Sequence, residues 1–537
     1  MKRKIALVLA GIVAATAISG CGNKKGGKNA AEVSYNGDDI YPVSCEDTLT
    51  YWVPLNAVLS TTVSNFGESE IGKQLTADTG INVKYIHPTA GGEADQFSVL
   101  LASGDLPDII NWDWRAYGAD KAMDNDFIIK LNDVIDKYAP NLKKLIDSDP
   151  DLEKMLKTDN GSYYAFPFLR GDEELCTYSG PIIRKDWLDK LGLEVPTSIE
   201  DWYKVLTAFK NGDPNGNGEA DEIPFVADGT ATFLRFSRAF GGVSDEFCID
   251  GNGKVRFGFI ENDYRDFLTE IHKWYSEGLI DSEYASANAS MIDSKMMTDV
   301  GGSYIGYAGG GMGKYIAASR KSNPSYSLVG APWPTHNGGA AYSGDPHQLS
   351  IGVAGVGMAI SAKAKNVDKC LKVIDFMYGD EGSMLMNWGI EGESYDKTED
   401  GFKFKDKILH NPDGKSPVEA ICEYAPTQYS FVLMRSDAFV QLNSAFDEQA
   451  QAMKTWSEAD LSRLMPTLSI SQEEQSEITK VMDDIYTYRQ ECINKFVMGV
   501  EPLEKWDDAV AKIKSMGIDR AIEVYQTAYD RYLSQSR

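Results

Sequence analysis

Apolar and polar positions along the chain follow two periods, near two and near three-and-a-half, and together they map most of its length. Leu49, Tyr51 and Val53 alternate with Thr48, Thr50 and Trp52, the pattern of a strand. A helix is expected over 68–78, stopping at Gly80, after which Ile81, Val83 and Tyr85 alternate again. Phe97, Leu100 and Leu101 line a second helix that ends at Gly104. Asp105-Leu106-Pro107-Asp108-Ile109-Ile110 then reads as a turn and a short apolar strand. Strand, helix, strand, helix, strand in that order predicts a parallel sheet covered by helices, so the fold class is α/β. Residues 163–171 read as a further strand.

The stretch 178–224 carries the most regular packing signal and the most specific chemical one. A strand over 179–183 leads into a helix over 185–191, and Gly192 is placed to close it in the left-handed conformation. Thr197 is the expected N-cap of the next helix, with Glu200 completing a capping box. Trp202, Val205, Leu206 and Phe209 follow at i, i+3, i+4 and i+7, one buried face.

Directly after that helix comes Asp213-Pro214-Asn215-Gly216-Asn217-Gly218-Glu219-Ala220-Asp221-Glu222. Side-chain oxygens fall at its positions 1, 3, 5, 9 and 10, with glycine at position 6. A hard cation takes six to eight oxygens, which alternate residues of a tight loop supply from one side. Asp213, Asn215, Asn217, Asp221 and Glu222 are therefore expected to ligate Ca²⁺ through side chains, and Glu219 through its carbonyl. The acid that usually closes such a loop at position 12 is absent, since Pro224 stands there. An acidic Asn/Gly turn is the competing reading. The ion's role would be structural, because nothing beside the loop suggests a reacting substrate.

Beyond the loop, 223–227 reads as a strand with Asp228-Gly229-Thr230 at its carboxyl end. Tyr264, Phe267, Leu268, Ile271 and Trp274 form a helical face closed by Gly278, which makes Trp274 a core residue. The glycine-dense run 300–313 lacks any framed phosphate-binding motif, and is read as a packed strand and turn bearing Tyr304 and Tyr307. A buried strand over 350–361 and a helix over 364–378 follow, and the remainder is helical by pattern.

Composition narrows the function classes. A length of 537 residues suggests two or three domains, and a formal charge of −27 argues against nucleic acid. Five histidines without an HExxH or CxxC pattern make a catalytic transition-metal site improbable. At the N-terminus, Lys2-Arg3-Lys4 precedes an apolar run over 5–17 that is too short for a dedicated membrane span. Ile18-Ser19-Gly20-Cys21 resembles a bacterial lipobox: cleavage before Cys21 would leave its thiol to be diacylated, followed by a Gly/Lys/Asn tether. The other six cysteines show no tight spacing, and no disulfide framework is read from them.

The segment IRKDWLDKLGLEVPTSIEDWYKVLTAFK, followed by DPNGNGEADEIP, resembles extracellular solute-binding lipoproteins of carbohydrate ABC importers, notably the alginate-binding type. GDLPDII, WGIEGESY over 388–395 and the C-terminal FVMGVEPLEKW segment are similar to the same family. The resemblance implies a two-lobed periplasmic-binding-protein-like fold of type II, with a hinge between lobes and a helical C-terminal part. Residues 1–20 would be a signal peptide and 21–46 the tether. The first lobe would comprise 47–168 and 330–405, and the second 169–329 and 406–537.

It further implies that the residues after GDLPDII enter a ligand cleft. These are Asn111, Trp112, Asp113, Trp114 and Arg115, where rings stack on sugar C–H faces and charged groups bond hydroxyls. The competing reading is that one tryptophan is packed in the core and the other is incidental. Arg170 near the hinge is either a ligand contact or an interlobe salt bridge. Asp228, Tyr304, Tyr307, Trp333, Trp388, Glu391 and Tyr395 complete the candidate set. The expected function is capture of an oligosaccharide outside the cell by hinge closure and delivery to the permease subunits of an ABC importer, by a lipid-anchored monomer without catalytic activity. A glycoside hydrolase, which would need two placed carboxylates that no motif isolates, and a binding protein for a non-sugar solute such as a peptide remain the alternatives.

Overall fold

The computed structural model describes residues 41–534 except 57, 149, 171–172, 350–351, 427–431 and 469. Thr48–Trp52 pairs in parallel with Asn82–Ile86 on one side and Ile109–Asp113 on the other. The intervening helices Glu70–Thr79 and Glu93–Ser103 each end on a left-handed glycine, Gly80 at φ 72° and Gly104 at φ 68°. Gly352–Ile360 enters antiparallel between Ile109–Asp113 and Phe166–Arg170, and Leu433–Met434 lies parallel to Phe166–Arg170 at the far edge. The result is one six-stranded mixed sheet. Its topology fixes a functional edge. Phe166–Arg170 and Ile109–Asp113 run antiparallel to the same strand, so their carboxyl ends share one edge, and Thr48–Trp52 points the same way. Trp52, Trp112, Asp113 and Arg170 therefore gather where open α/β sheets bind ligands.

A second sheet has Ser179–Arg184 between Ser303–Tyr307 and Leu328–Gly330, both antiparallel to it. Helix Lys185–Leu191 follows and closes on Gly192 at φ 66°, as the sequence predicts. The next helix, Ile199–Asn211, is capped one residue later than expected. Ser198 holds the extended conformation directly before it and accepts from the Asp201 amide, while the Thr197 hydroxyl bonds the Asp201 carboxylate at 3.2 Å. The segment 223–227 forms no strand ladder. Its backbone is satisfied one residue at a time, with Ile223 bridging Gly301 and Phe225 bridging Ile280.

Two main cores define two lobes. One surrounds Tyr51, Phe66, Leu142 and Ile374; the other surrounds Trp202, Phe236, Trp274 and Phe496. A small cluster of Phe168, Leu175, Tyr178, Met434 and Phe439 sits where the chain passes between them. The passages come later than the expected boundaries. Ser343 still bonds Asp460 in the second lobe, so the return lies beyond residue 330. Trp388 packs with Ile421, Ala438 and Leu442, so the chain stays with the first lobe well past residue 405. Helices Gln472–Val497, Trp506–Met516 and Ile518–Ser534 then complete the second lobe. The expected signal peptide and Cys21 lie outside the described residues. Among the described residues no helix is long and apolar enough to cross a membrane, and Cys45, Cys248, Cys370, Cys422 and Cys492 form no disulfide.

Candidate ligand cleft and cation loop

At the first lobe's edge the strand runs on through Asn111, Trp112 and Asp113, so these are not the loop residues the sequence suggests. Trp112 stacks on Phe97 with ring centroids 4.4 Å apart and meets Trp52 edge-on at 5.7 Å, leaving the indole partly exposed. Trp114 is fully buried, with its Nε1 donating to the Ile110 carbonyl at 3.3 Å, and belongs to the core. Asp113 caps the short helix Trp114–Tyr117 by accepting from the Ala116 amide.

The crossing itself is built from aromatic and charged side chains. Buried Arg170 donates to the Tyr178 hydroxyl at 2.9 Å, its guanidinium 4.8 Å from that ring. Tyr178 stacks in turn with Tyr307 at 5.9 Å and 19°. Tyr307 is 50% exposed, which a bare ring in water does not favour unless it has something to cover it. His347 lies 6.0 Å from Tyr178 and 2.9 Å from Asp345, a fully buried carboxylate that also accepts from the Ser179 hydroxyl. Arg235 donates to that same hydroxyl at 3.1 Å. Burial pushes the Asp345 carboxyl up, but the His347 contact, the Arg235 charge and Ser179 outweigh it and hold the group below the usual carboxylate range.

Two cavities are found among the described residues, the first of them beside this crossing. One, of about 480 Å³, lies in the second lobe beside Arg235 and is lined by Arg238, Asp245, Tyr486, Arg489 and Gln490 among others. There Arg489 donates to Glu246 at 3.0 Å, and Gln490 to Thr230 at 2.7 Å. The other, of about 320 Å³, lies between the lobes, with residues 115–121 and 157–158 facing Gln475, Ser476 and Thr479. At its rim Arg531 reaches across to Asp159 at 3.2 Å.

Four more of the expected cleft aromatics, besides Trp114, are buried in the cores. Trp388 is fully buried, stacked on Phe404 at 4.3 Å and bonded through Nε1 to Asp437; Tyr395 packs in the same cluster. Trp333 and Tyr304 are buried in the second lobe. Rings enclosed on every side have no face to offer a solute without repacking. Asp228 and Glu391 are exposed, with Asp228 accepting from Thr232 at 2.7 Å. Tyr178, Asp345, His347, Arg235 and Arg489 escaped the sequence reading. They come from four distant segments, and no spacing along the chain links them.

The loop 213–222 is tightly curved, with Asp213 at φ 44°, Gly216 at φ 78° and Gly218 at φ 81°. The Asp213 carboxylate accepts from the Gly216 and Gly218 amides, and the Asn215 and Asn217 side-chain oxygens accept from the amides two residues on. Asp221 accepts from both asparagine side chains. Glu222 Oε1 is buried without a hydrogen-bond partner, and burial together with the Asp221 and Asp213 charges pushes that carboxyl up. An orphaned carboxylate oxygen beside two further acids is what a hard cation would satisfy, so the residues present fit Ca²⁺. Among the described residues no three His, Cys, Asp or Glu side chains converge as a metal cluster, so amide and peptide oxygens would have to supply much of the shell. The Asp299 carbonyl accepts from Asn215, and its carboxylate pairs at 2.5 Å with buried Arg184, itself held against Trp187 and Tyr326.

The chain is 29% identical over 547 residues to the fructooligosaccharide ABC transporter substrate-binding protein FusA of Streptococcus pneumoniae, the alignment covering 96% of each. Among solved structures it resembles an EF-hand mutant of S. pneumoniae FusA in complex with fructo-nystose, with a TM-score of 0.74 at 25% identity, covering 91% of this chain and 100% of that one. It resembles the alginate-binding protein AlgQ2 without calcium ion at a TM-score of 0.73 and 25% identity, covering 90% and 98%. Two lobes joined at a ring-lined crossing agree with a sequence match over residues 65–384, and by that match the chain belongs to the bacterial extracellular solute-binding protein family.

Proposed function

We propose that this protein is the extracellular substrate-binding component of an ABC importer, which captures an oligosaccharide by hinge closure and presents it to the permease subunits. One observation carries the reading: two partly open rings, Trp112 on the first sheet and Tyr307 on the second, each backed by another ring, flank the polar crossing of Arg170, Asp345 and His347. Stacked rings suit the C–H faces of a sugar, and the charged groups around them suit its hydroxyls. FusA and AlgQ2, by name, bind a fructooligosaccharide and alginate, which supports the same ligand class. Asp113, Asp228 and Glu391 remain as exposed or part-exposed polar candidates from the sequence. Closure would bring the two lobes' rings onto one ligand, and the closed form would be what the transporter recognises.

Within this reading the loop 213–222 holds a structural Ca²⁺, drawn from Asp213, Asn215, Asn217, Glu219, Asp221 and Glu222. The ion would offset the repulsion among the three loop acids and firm the second lobe. Cys21 carries the lipid that tethers a monomer to the outer face of the membrane. The test is calorimetry with a panel of oligosaccharides on the wild type, Trp112→Ala and Tyr307→Ala. Each variant should lose on the order of tenfold in affinity, from about 1 kcal/mol or more of stacking, with little change in melting temperature. Wild-type affinity in both variants would remove these rings from the site.

A further inference from the structure

We infer that the interlobe cavity of about 320 Å³ is a subsite for an acidic sugar, whose carboxylate is held by Arg115 and Lys121. This deepens the oligosaccharide reading and rests on it. The cavity is walled by both lobes, so a unit placed there is enclosed as they close. Tyr117 and Tyr164 line it together with the cations Arg115, Lys121 and Lys157, against one acid, Asp120. In a chain of net charge −27 such a balance is unusual.

The acids nearby are already engaged. Glu153 pairs with Lys157 at 2.6 Å, and Asp120 accepts from Thr158 and Asn160, both at 3.0 Å. Asp159 and Glu474 both pair with Arg531. Arg115 and Lys121 are left. One Arg115 nitrogen, Nη2, donates to the Met155 carbonyl; the other, Nη1, is buried with no hydrogen-bond partner. The Lys121 ammonium lies 4.8 Å over the Tyr117 ring, and among the described residues it has no carboxylate in ion-pair range.

A buried guanidinium N–H without an acceptor is costly to keep. A ligand oxygen would relieve that cost, and the planar fork of arginine matches a carboxylate better than a hydroxyl. The ring of Tyr117 beside the two cations offers a stacking surface for the sugar that carries the charge. A uronic-acid unit meets both demands; a neutral sugar meets only the second.

The experiment is calorimetry of the full-length protein with oligogalacturonate and oligomannuronate of two to four units, methyl-esterified oligogalacturonate, and neutral fructo-, malto- and xylo-oligosaccharides. The expected result is that an acidic oligomer binds tightest and that its affinity falls with added salt. Esterification, Arg115→Gln and Lys121→Gln should each cost it tenfold or more. Lys121 is partly exposed, so its variant tests the subsite even if loss of Arg115 disturbs the fold. Tightest binding of a neutral oligosaccharide, unchanged in both variants, would overturn the acidic subsite and leave the oligosaccharide reading standing. Failure of every member of the panel to bind would overturn both.

Discussion

Replacing Arg531 by methionine should flatten the acid dependence of stability, and the size of the effect can be worked out. Arg531 bonds both oxygens of Glu474 at 2.8 Å, and that bonding, ahead of the Ser471 contacts, holds the Glu474 carboxyl at about 2 against an ordinary 4.5. At 1.36 kcal/mol per pH unit the gap is worth about 3 kcal/mol at neutral pH, and about 2 kcal/mol once partial exposure and screening are allowed for. A depressed carboxylate stabilises the fold fully above its unfolded value and loses that contribution as pH falls toward its folded one. More than half should therefore be gone by pH 3. The methionine variant keeps the stem packing and only the Ser471 contacts of Glu474, so it should melt about 2 °C lower at pH 7 yet approach the wild type at pH 3. Scanning calorimetry of both proteins between pH 7 and pH 3 reads this directly. Carboxylates that do not touch Arg531 titrate in both and cancel in the difference; Asp159, which also pairs with Arg531, is removed from the comparison by measuring both proteins in an Asp159→Asn background. A wild-type-minus-variant gap that stays constant across the range would refute the assignment of the acid sensitivity to this pair.

Three further outcomes follow from the packing and the sequence. Trp388→Ala should cost about 3–5 kcal/mol of stability through the cavity it leaves, while folded protein keeps its ligand affinity; the reverse pattern would return Trp388 to the cleft. Excess chelator should lower the melting temperature, calcium but not magnesium should restore it, and Asp213→Ala should abolish the response; an unchanged melt in a protein free of calcium by metal analysis would reduce the loop to a turn. Cys21→Ala should leave the protein unretained by membranes or uncleaved, and normal retention would contradict the lipid anchor.

The helices and most strands were legible because their signals are local. Gly80, Gly104 and Gly192 end helices for a reason contained in one residue, and the Trp202–Phe209 face needs only its own spacing. Aromatic residues near a cleft were legible only in part. A tryptophan is written the same way whether it fills a core, as Trp388 and Trp333 do, or edges a cleft, as Trp112 does. What separates them is the company brought by distant segments: Phe404 for Trp388, Phe97 and Trp52 for Trp112. Ser198 displaced Thr197 as the helix cap because two adjacent hydroxyl residues offer the same chemistry, and only the backbone conformation chooses between them. Tyr178, Asp345 and His347 become a group only once the chain has crossed between the lobes.

Leu433–Met434 is a two-residue strand, yet it lies against the open side of Phe166–Arg170. Until that part of the chain has emerged from the ribosome, the nascent first lobe presents an unpaired edge and lacks Met434 and Phe439 from the junction cluster. Neither lobe is contiguous in the chain, so neither can finish folding early. For the exported, lipid-anchored protein proposed above, late completion would be useful: the polypeptide would stay loose enough to thread through a membrane and set only on the far side.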